Sequence, residues 1–235
     1  MKAFLLAAGH GTRLRPYTDS VPKCLLPIQG VPMLEIWLSL CREYGISDVL
    51  VNTHAHSDAV VDFVGKWRDG IRVTVIEEPQ LFGSAGTLRE NRAWLGSDDK
   101  FWVFYADVLT RTNLNAMLEF HSSQSAATLG VYSVPDPGRC GIVCTDQDQV
   151  ITDFVEKPDV PKSHLAFAGI MIGTAELLHA IPEKSGSDIA FDVLPRLVGR
   201  MRAFQISEFL MDIGTLENYQ AAQRTWPGLA ESHSE

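Results

Sequence analysis

The sequence predicts an α/β fold, in which a mostly parallel sheet is flanked by helices and followed by a β-rich lobe. Short apolar segments alternate with helically spaced apolar residues through the first half of the 235-residue chain. The second half carries four strand-like segments in succession, broken by prolines. With 46% hydrophobic residues, the chain can bury a full core.

Strands and helices alternate along the first half in an order that predicts right-handed crossovers between parallel strands. The predicted strands cover 2–7, 48–52, 73–76 and 101–105, and the predicted helices lie around 34–41, 60–67 and 114–121. Ser57 is the expected N-cap of the second helix. The strand at 101–105 is apolar throughout, so we expect it to be central and covered on both faces. In such sheets, ligands bind beyond the carboxyl ends of the strands.

The second half is richer in strand patterns and predicts the β-rich lobe. The predicted strands are 127–134, 141–145, 150–156, 166–173 and 202–206, and the predicted helices are 175–181, 189–200 and a last one from Thr215. We therefore expect a single domain at 1–226, with halves of about 1–125 and 126–226. The polar end at 227–235 is expected to be a flexible tail.

Composition excludes several classes of protein. A net charge of −9 argues against general nucleic-acid binding. The four cysteines lie in apolar or strand-like segments without disulfide or zinc spacing, so we expect buried free thiols. The N-terminus carries a strand pattern rather than a signal peptide, and no apolar run reaches the ~20 residues of a membrane helix. A cytoplasmic protein without membrane partners is the resulting expectation.

The loop after the first strand has the composition of a phosphate-binding loop. Two glycines and two arginines lie between positions 9 and 15. Glycine lets backbone N–H groups approach an anion, and arginine supplies forked, permanently charged donors. The spacing fits neither G-x-G-x-x-G, because position 14 is Leu, nor the P-loop G-x-x-x-x-G-K-[ST]. Lys23, in a segment stiffened by prolines, adds a second basic site.

Together, LAAGHGTRLRP and PKCLLPIQGVPMLE resemble the signature of the sugar-1-phosphate nucleotidylyltransferases, also called sugar-nucleotide pyrophosphorylases. The resemblance covers residues 1 to about 224. It implies a Rossmann-like fold with a nucleotide-binding half and a sugar-binding half. It also implies transfer of a nucleotidyl group from a nucleoside triphosphate to a sugar 1-phosphate, with release of pyrophosphate. That reaction needs no protein nucleophile, and the sequence has no Ser-His or Cys-His signature.

The resemblance implies that the first loop binds the triphosphate, that Arg13 contacts the departing pyrophosphate, and that Lys23 bridges phosphates near the reacting centre. Arg15 is left open between a phosphate contact and a structural salt bridge. The segment EPQLFGSAGTL resembles the family's base-binding P-L-G-T-A-G-A-L, with a plain loop before a helix as the alternative. The expected nucleotide-binding residues are Leu6, Ala7, Ala8, Gly9, Gly11, Thr12, Arg13, Gln80, Gly83, Gly86 and Thr87.

Two aspartates, Asp107 and Asp212, each end an apolar stretch. A carboxylate at a strand end beside phosphates suits Mg²⁺. In the family, matching aspartates bind one Mg²⁺ with the α-phosphate, so the resemblance implies that both are metal ligands and are catalytic together with Arg13 and Lys23. The alternative is that each carboxylate caps a turn or helix. The prediction requires residues more than a hundred positions apart to meet.

The segment VEKP matches the family's F-x-E-K-P. The resemblance implies that Glu156 accepts hydrogen bonds from sugar hydroxyls and that Lys157 holds the sugar phosphate, with an exposed ion pair as the alternative. Backbone at Gly141 and Gly169 is expected to approach the sugar.

Two departures from the family pattern concern the sugar site. Cys140 stands where Tyr is common, and Phe167 replaces the usual Asn. Both changes remove polar groups near the expected sugar, so the sequence assigns no single sugar.

The short form and the GSAGT segment are most similar to the mannose-1-phosphate guanylyltransferase group, which includes heptose-1-phosphate guanylyltransferases. The implied substrates are GTP and a mannose- or heptose-type sugar 1-phosphate, in capsule or lipopolysaccharide biosynthesis. Thymidylyl- or uridylyltransferases acting on glucose 1-phosphate are the first alternative. A non-catalytic, sugar-nucleotide-binding regulatory homologue is the second. A homodimer is compatible with each of these.

Overall fold

A computed structural model describes residues 1–229, so the predicted tail at 227–235 lies outside the described residues from position 230 onward. The β-strands are β1 (Lys2–Leu6), β2 (Pro27–Ile28), β3 (Val31–Pro32), β4 (Asp48–Thr53), β5 (Arg72–Glu77), β6 (Lys100–Tyr105), β7 (Val108–Thr110), β8 (Ala127–Ser133), β9 (Gly141–Thr145), β10 (Ile151–Glu156), β11 (Leu165–Thr174), β12 (Met201–Gln205) and β13 (Leu210–Asp212). The α-helices are α1 (Met33–Glu43), α2 (Ser57–Lys66), α3 (Ser84–Glu90), α4 (Arg92–Leu95), α5 (Leu114–Phe120), α6 (Ala175–His179) and α7 (Leu216–Thr225).

The chain forms two compact units, and each is discontinuous in sequence. The first unit consists of Met1–Gln80, Tyr105–Thr112 and the described residues from Glu208 onward. The second unit consists of Leu81–Phe104 and Asn113–Ser207. The predicted halves, about 1–125 and 126–226, were defined by the substrate that each was expected to bind. The two observed units are defined by how compactly their residues pack, so their bounds differ.

The first unit contains three parallel strands flanked by helices. β1 pairs with β4 from Lys2↔Asp48 to Leu6↔Asn52, and β4 pairs in parallel with β5. Phe4, Trp37 and Leu50 are at most 1% exposed. The helically spaced apolar residues of α1 are buried, as their 3.6-residue period predicts.

Two short antiparallel ladders complete the first unit. β13 pairs with β7, and β2 pairs with β3 in a hairpin. Helix α7 holds this hairpin through side chains. The Tyr219 hydroxyl donates to the Pro27 carbonyl oxygen at 2.8 Å, and Gln29 Nε2 donates to the Trp226 carbonyl oxygen at 2.9 Å. The chain before the hairpin carries Lys23, so α7 supports that residue's backbone.

The second unit is the β-rich part of the molecule. β11 pairs antiparallel with β6, β8 and β9, and β9 pairs antiparallel with β10. β12 is the exception and pairs in parallel with β8. The β11–β8 register shifts between Phe167 and Met171, where Gly169 has φ +71°. The predicted α/β class is therefore confirmed, with parallel strands flanked by helices in the first unit and a β-rich second unit.

Two local predictions are wrong. The helix predicted at 189–200 is a π-helical turn at Ile189–Val193 followed by a 3₁₀ turn at Leu194–Leu197. Pro195 lacks the N–H that a continuing α-helix needs and disfavours helical backbone before it. Ser57 is not an N-cap, because α2 begins at Ser57 itself and its hydroxyl lies 2.7 Å from Thr53 Oγ1.

All four cysteines are free thiols, as expected, but only Cys24 and Cys41 are buried. Cys140 and Cys144 are partly exposed. Burial raises the pKa of the Cys24 thiol to about 12, which keeps it protonated at neutral pH.

Within residues 1–229, no helix combines the length and apolar character needed to cross a membrane.

Candidate active site

The loop after β1 is largely exposed between Gly9 and Arg13. The Ala7 N–H donates to Asn52 Oδ1 at 2.7 Å, so this predicted nucleotide-binding amide has a protein partner. Gly9 is exposed, and a Cβ added to it would have open space around it. Gly11 has φ +61°, a conformation that favours glycine, and a Cβ there would lie 3.3 Å from Lys23 Cβ. The loop therefore packs against the segment that carries the second basic site.

Lys23 forms a short ion pair with Asp107. It begins a 3₁₀ turn at Lys23–Leu25, and its Nζ donates to Asp107 Oδ2 at 2.6 Å. The Lys23 side chain is 11% exposed and the Asp107 side chain 30%. A charge-assisted hydrogen bond with so little solvent around the ammonium orients both groups.

The structure brings Asp107 and Asp212 together, as the sequence prediction requires. The Ala106 N–H donates to the Leu6 carbonyl oxygen at 3.0 Å, which holds the chain beside the end of β1. The Ile213 N–H donates to the Asp107 carbonyl oxygen at 2.9 Å, and Asp212 is in register with the neighbour of Asp107 in the β13–β7 ladder. The role of the two carboxylates as metal ligands stays a prediction.

The pKa of Asp212 is raised above that of an ordinary aspartate. Partial burial of the carboxylate raises its pKa, and the negative charge of Asp107 raises the pKa further, although part of the side chain remains exposed. The charges of Lys23 and Arg13 and a hydrogen bond from the Gly214 N–H, at 2.5 Å, act in the opposite direction. Two carboxylates held this close repel each other and favour a positively charged partner.

Gly214 marks the point on which these charged groups converge. A Cβ added there would lie 2.6 Å from Asp212 Oδ1, 2.9 Å from Arg13 Nη2 and 3.3 Å from Lys23 Nζ. Its φ is not in the positive range that favours glycine. Space, rather than backbone conformation, is therefore what glycine provides at this position.

The residues present fit Mg²⁺. Mg²⁺ is commonly held by one or two carboxylates and completes its shell with water and phosphate oxygens. Asp107 and Asp212 supply two carboxylates close enough for the charge of one to raise the pKa of the other. Within the described part of the chain, no group of three or more His, Cys, Asp or Glu residues could hold a metal by itself. Two carboxylates alone would leave coordination positions of such an ion for water or phosphate oxygens.

Arg13 and Arg15 have different surroundings. Arg13 lies in the 3₁₀ turn Thr12–Leu14 and points toward the charged cluster around Gly214. Arg15 Nε forms an exposed ion pair with Asp19 Oδ1 at 3.2 Å. Of the two roles left open for Arg15, the structure shows the salt bridge. A salt bridge this exposed contributes little to stability.

In the second unit, the glycine-rich segment before α3 is packed against another part of the chain. A Cβ on Gly83 would lie 2.3 Å from the Ser187 carbonyl oxygen, and the N–H groups of Ala85 and Gly86 donate to that oxygen at 3.0 and 3.2 Å. The buried Thr87 hydroxyl donates to the Gly83 carbonyl oxygen at 3.2 Å. Close packing against Ser187 is therefore one reason for glycine in this segment. The contact with the nucleotide base stays a prediction. Gln80, in the first unit, is exposed.

We expect Gly83→Ala to destabilise the protein by roughly 2–4 kcal/mol, because it combines a steric clash with a backbone conformation that only glycine adopts easily. Gly83 has φ +79° and ψ 159°. Urea unfolding is the measurement. Gly70→Ala is the control, since Gly70 also has a positive φ, +78°, but has open space around it, so it should show the cost of a positive φ without a steric clash. Equal losses in both variants would contradict a role for the Ser187 contact.

The predicted sugar-phosphate residues Gly141, Glu156 and Lys157 lie together in the second unit. Glu156 is opposite Gly141 in the β10–β9 ladder, and a Cβ on Gly141 would lie 2.6 Å from Glu156 Oε2. Lys157 has a left-handed φ of 50°, and its N–H donates to the Cys140 carbonyl oxygen at 2.9 Å. The Lys157 ammonium lies 3.6 Å from Glu156 Oε1. Gly141 thus leaves room for a carboxylate that a larger residue would displace.

Burial raises the pKa of Glu156 above its ordinary value near 4.5, and the charge of Asp188 adds to the rise. The positive charge of Lys157 opposes this rise in the pKa of Glu156. Cys140 packs beside the buried cluster of Val134, Ile142 and Ala166, so this departure from the family pattern extends an apolar cluster.

Sequence reasoning missed several residues of these two sites. Asn52 accepts a hydrogen bond from the Ala7 N–H, and its signal was a polar residue directly after the apolar run 49–51. Gly214 could be suspected only from its place two residues after Asp212. Asp188 accepts a hydrogen bond from the Ser84 hydroxyl at 2.9 Å, across a separation that no local pattern reveals.

Known proteins share the sequence pattern and the fold of this chain. The profile of the protein family described as "Nucleotidyl transferase" matches residues 2–227. A Sulfolobus acidocaldarius protein provisionally assigned as a mannose-1-phosphate guanyltransferase is 34% identical over 224 residues, which cover 93% of this chain and 61% of that protein. A UTP–glucose-1-phosphate uridylyltransferase of Synechocystis sp. is 32% identical over 243 residues, covering 95% of this chain and 63% of that protein. The chain thus spans less than two thirds of the length of these relatives.

A solved structure from Bacillus anthracis is also similar. It is a protein provisionally assigned as a glucose-1-phosphate thymidylyltransferase, in complex with sucrose. The TM-score is 0.87 at 27% identity, and the match covers 95% of this chain and 94% of that one. The similarity therefore extends over nearly the whole length of both chains.

Proposed function

Since the chain belongs to the nucleotidyl transferase family, we propose that it transfers a nucleotidyl group from a nucleoside triphosphate to a sugar 1-phosphate and releases pyrophosphate. The observation that carries the proposal is the convergence of Arg13, Lys23, Asp107 and Asp212 around Gly214. Two cations and two carboxylates this close together suit a polyphosphate with a metal ion better than a neutral ligand.

The reaction is an in-line displacement at phosphorus. A phosphate oxygen of the sugar 1-phosphate forms a bond to the α-phosphorus, and the bond from the α-phosphorus to the bridging oxygen of pyrophosphate breaks. Both reactants are anions, so the protein has to neutralise and align them. Arg13 and Lys23 bind the triphosphate and offset the charge on the leaving pyrophosphate. Glu156 accepts hydrogen bonds from sugar hydroxyls, and Lys157 holds the sugar phosphate.

Asp107 and Asp212 are the residues that would hold Mg²⁺. When bound, the ion supplies positive charge to phosphate oxygens. Lys23 keeps Asp107 oriented through its 2.6 Å hydrogen bond. The Gly214 N–H does the same for Asp212, so both carboxylates are held before a substrate arrives.

We further propose GTP as the preferred nucleotide and a mannose- or heptose-type sugar 1-phosphate as the acceptor, in cytoplasmic nucleotide-sugar biosynthesis. The similarity to the Sulfolobus acidocaldarius guanyltransferase supports this choice. The similarity to the Synechocystis uridylyltransferase supports a second candidate, transfer from UTP to glucose 1-phosphate. The same residues serve both reactions.

The test is pyrophosphate release over a grid of nucleoside triphosphates and sugar 1-phosphates, with and without Mg²⁺. We expect one strong signal, with GTP and mannose or heptose 1-phosphate, that disappears when the metal is chelated. A strong signal with UTP or dTTP and glucose 1-phosphate would keep the reaction and replace the substrates. Silence over the whole grid, together with retained binding of nucleotide sugars, would favour a non-catalytic regulatory protein.

A pH prediction follows from Glu156. Its raised pKa means that the carboxylate takes up a proton at a higher pH than an ordinary glutamate. A protonated carboxyl accepts hydrogen bonds more weakly, so we expect the KM for the sugar 1-phosphate to rise as pH falls toward this pKa, already above pH 4.5. Steady-state kinetics at several pH values measure this. Glu156→Gln carries no titrating group and should lose this part of the profile, whereas an unchanged profile would contradict the assignment.

A further inference from the structure

Phe191 is a large aromatic residue with an unusual position. Its side chain is among the exposed hydrophobic ones, at 57% exposure. The Lys157 ammonium lies over its ring, 5.6 Å from the centroid. That distance is within the ~6 Å over which a cation is attracted to an aromatic face. The exposed ring thus contacts the residue proposed to hold the sugar phosphate.

Hydrogen bonds, rather than burial, hold Phe191 in place. It lies in the π-helical turn Ile189–Val193, and such turns are frequent at functional sites. Asp188 Oδ1 accepts from the Ala190 and Phe191 N–H groups at 2.8 and 3.0 Å. Asp192 Oδ2 accepts from the Asp188 N–H at 2.8 Å, and Asp192 Oδ1 accepts from Lys184 Nζ at 2.6 Å. The turn is therefore closed by two carboxylates.

The same turn is joined to the start of α3. The Ser84 hydroxyl donates to Asp188 Oδ2 at 2.9 Å and accepts from the Ile189 N–H at 2.7 Å. Ser84 lies in the glycine-rich segment that packs on Ser187. Phe191 is thus fixed to a well-connected part of the second unit.

Lys157 has two partners of different kinds. Glu156 Oε1, at 3.6 Å, forms an ion pair with the ammonium but lies too far away for a hydrogen bond, and the proposed function needs that carboxylate for sugar hydroxyls. The ring of Phe191 attracts the charge without accepting a conventional hydrogen bond. An ammonium has three donors and no acceptor, so a cation–π contact leaves its N–H groups for another ligand. The Phe191 ring therefore orients the Lys157 ammonium and leaves its N–H groups available to a phosphate.

We propose that Phe191 is a positioning residue for the sugar 1-phosphate, because its ring holds the Lys157 ammonium where the phosphate receives its N–H groups. This inference rests on the proposed function of the same site. Phe191 acts through Lys157, and its effect falls on the sugar phosphate and not on the nucleotide.

The test compares Phe191→Leu, which removes the aromatic face, with Phe191→Trp, which keeps it. We expect Phe191→Leu to raise the KM for mannose 1-phosphate about two- to fivefold, the change that corresponds to an exposed cation–π contact. The Trp variant should stay near the wild type, and the KM for the nucleoside triphosphate should not change. Val160→Ala, which shortens an 81% exposed apolar side chain in the same unit, is the matched control.

A second measurement separates positioning from structural effects. In a Lys157→Met background, the difference between Phe and Leu at position 191 should vanish, because the cation is gone. The proposal is overturned if Leu and Trp impair binding equally, if Leu has no effect, or if the difference persists in the Met background. Calorimetric titration with mannose 1-phosphate gives the same comparison without turnover. A wild type that binds this ligand but turns nothing over would overturn the proposed function alone.

Discussion

Replacing Asp107 or Asp212 with Asn is expected to lower kcat/KM by at least about 10²–10³-fold, the loss typical of removing one preorganised charge-stabilising group. Each variant keeps an oxygen for the existing hydrogen bond, from Lys23 Nζ to residue 107 and from the Gly214 N–H to residue 212. What each variant loses is a negative charge that we propose for Mg²⁺. Initial rates of pyrophosphate release over a range of substrate concentrations, repeated at several Mg²⁺ concentrations, give the result.

The fold is expected to survive both changes. The raised pKa of Asp212 means that its charged form is disfavoured in the folded protein, so Asp212→Asn removes a repulsion and should leave the melting temperature unchanged or higher. Asp69→Asn is the matched control, since Asp69 is an exposed aspartate of the first unit whose partner is Arg42, at 3.0 Å. Near-normal activity of either site variant in Mg²⁺ would refute the shared metal site.

Gly214→Ala is expected to lower kcat/KM by about 10²-fold, although it adds one methyl group. That methyl would lie 2.6 Å from Asp212 Oδ1 and 2.9 Å from Arg13 Nη2, so one or both charged groups must move. Displacement of a catalytic constellation by about 1 Å is enough for a loss of this size. Steady-state kinetics and a calorimetric titration with Mg²⁺ and GTP measure it.

The control for this variant is Gly65→Ala in α2. Gly65 also lacks a positive φ, and an added Cβ meets open space there. Activity should be unchanged, and stability should rise by roughly 0.5–1 kcal/mol, because alanine suits a helix better than glycine. If Gly214→Ala were equally harmless, the charged groups would not converge on this point in solution.

Much of the fold follows from local pattern. The strand predicted at 141–145 has those bounds in the structure, and the helical spacing around 34–41 lies within α1. The hairpin at Pro27–Pro32 escaped prediction because two-residue strands carry no period. The false helix at 189–200 had apolar spacing, but hydrogen bonds to the Asp188 carboxylate and the presence of Pro195 decided its backbone.

The site was predictable to the extent that its residues lie in motifs. Arg13, Lys23, Asp107 and Asp212 were named from the sequence and meet in the first unit. The hydrogen bond between Ser84 and Asp188 joins residues 104 positions apart, and no periodicity indicates it. The position of Phe191 over Lys157 escaped for the same reason, since a π-helical turn has no recognisable sequence signal.

The hydrogen bonds between the α7 region and the β2–β3 hairpin have a consequence for folding during synthesis. The hydrogen bond from Tyr219 to Pro27 spans 192 positions, and that from Gln29 to Trp226 spans 197. A nascent chain that has emerged only through Gln80 lacks both Asp107 and Asp212, so its first basic loop has no carboxylate partners of this cluster. The second unit lies within 81–207 and is complete in sequence before α7 is made. On the ribosome, we therefore expect the second unit to fold first and the phosphate site to assemble last.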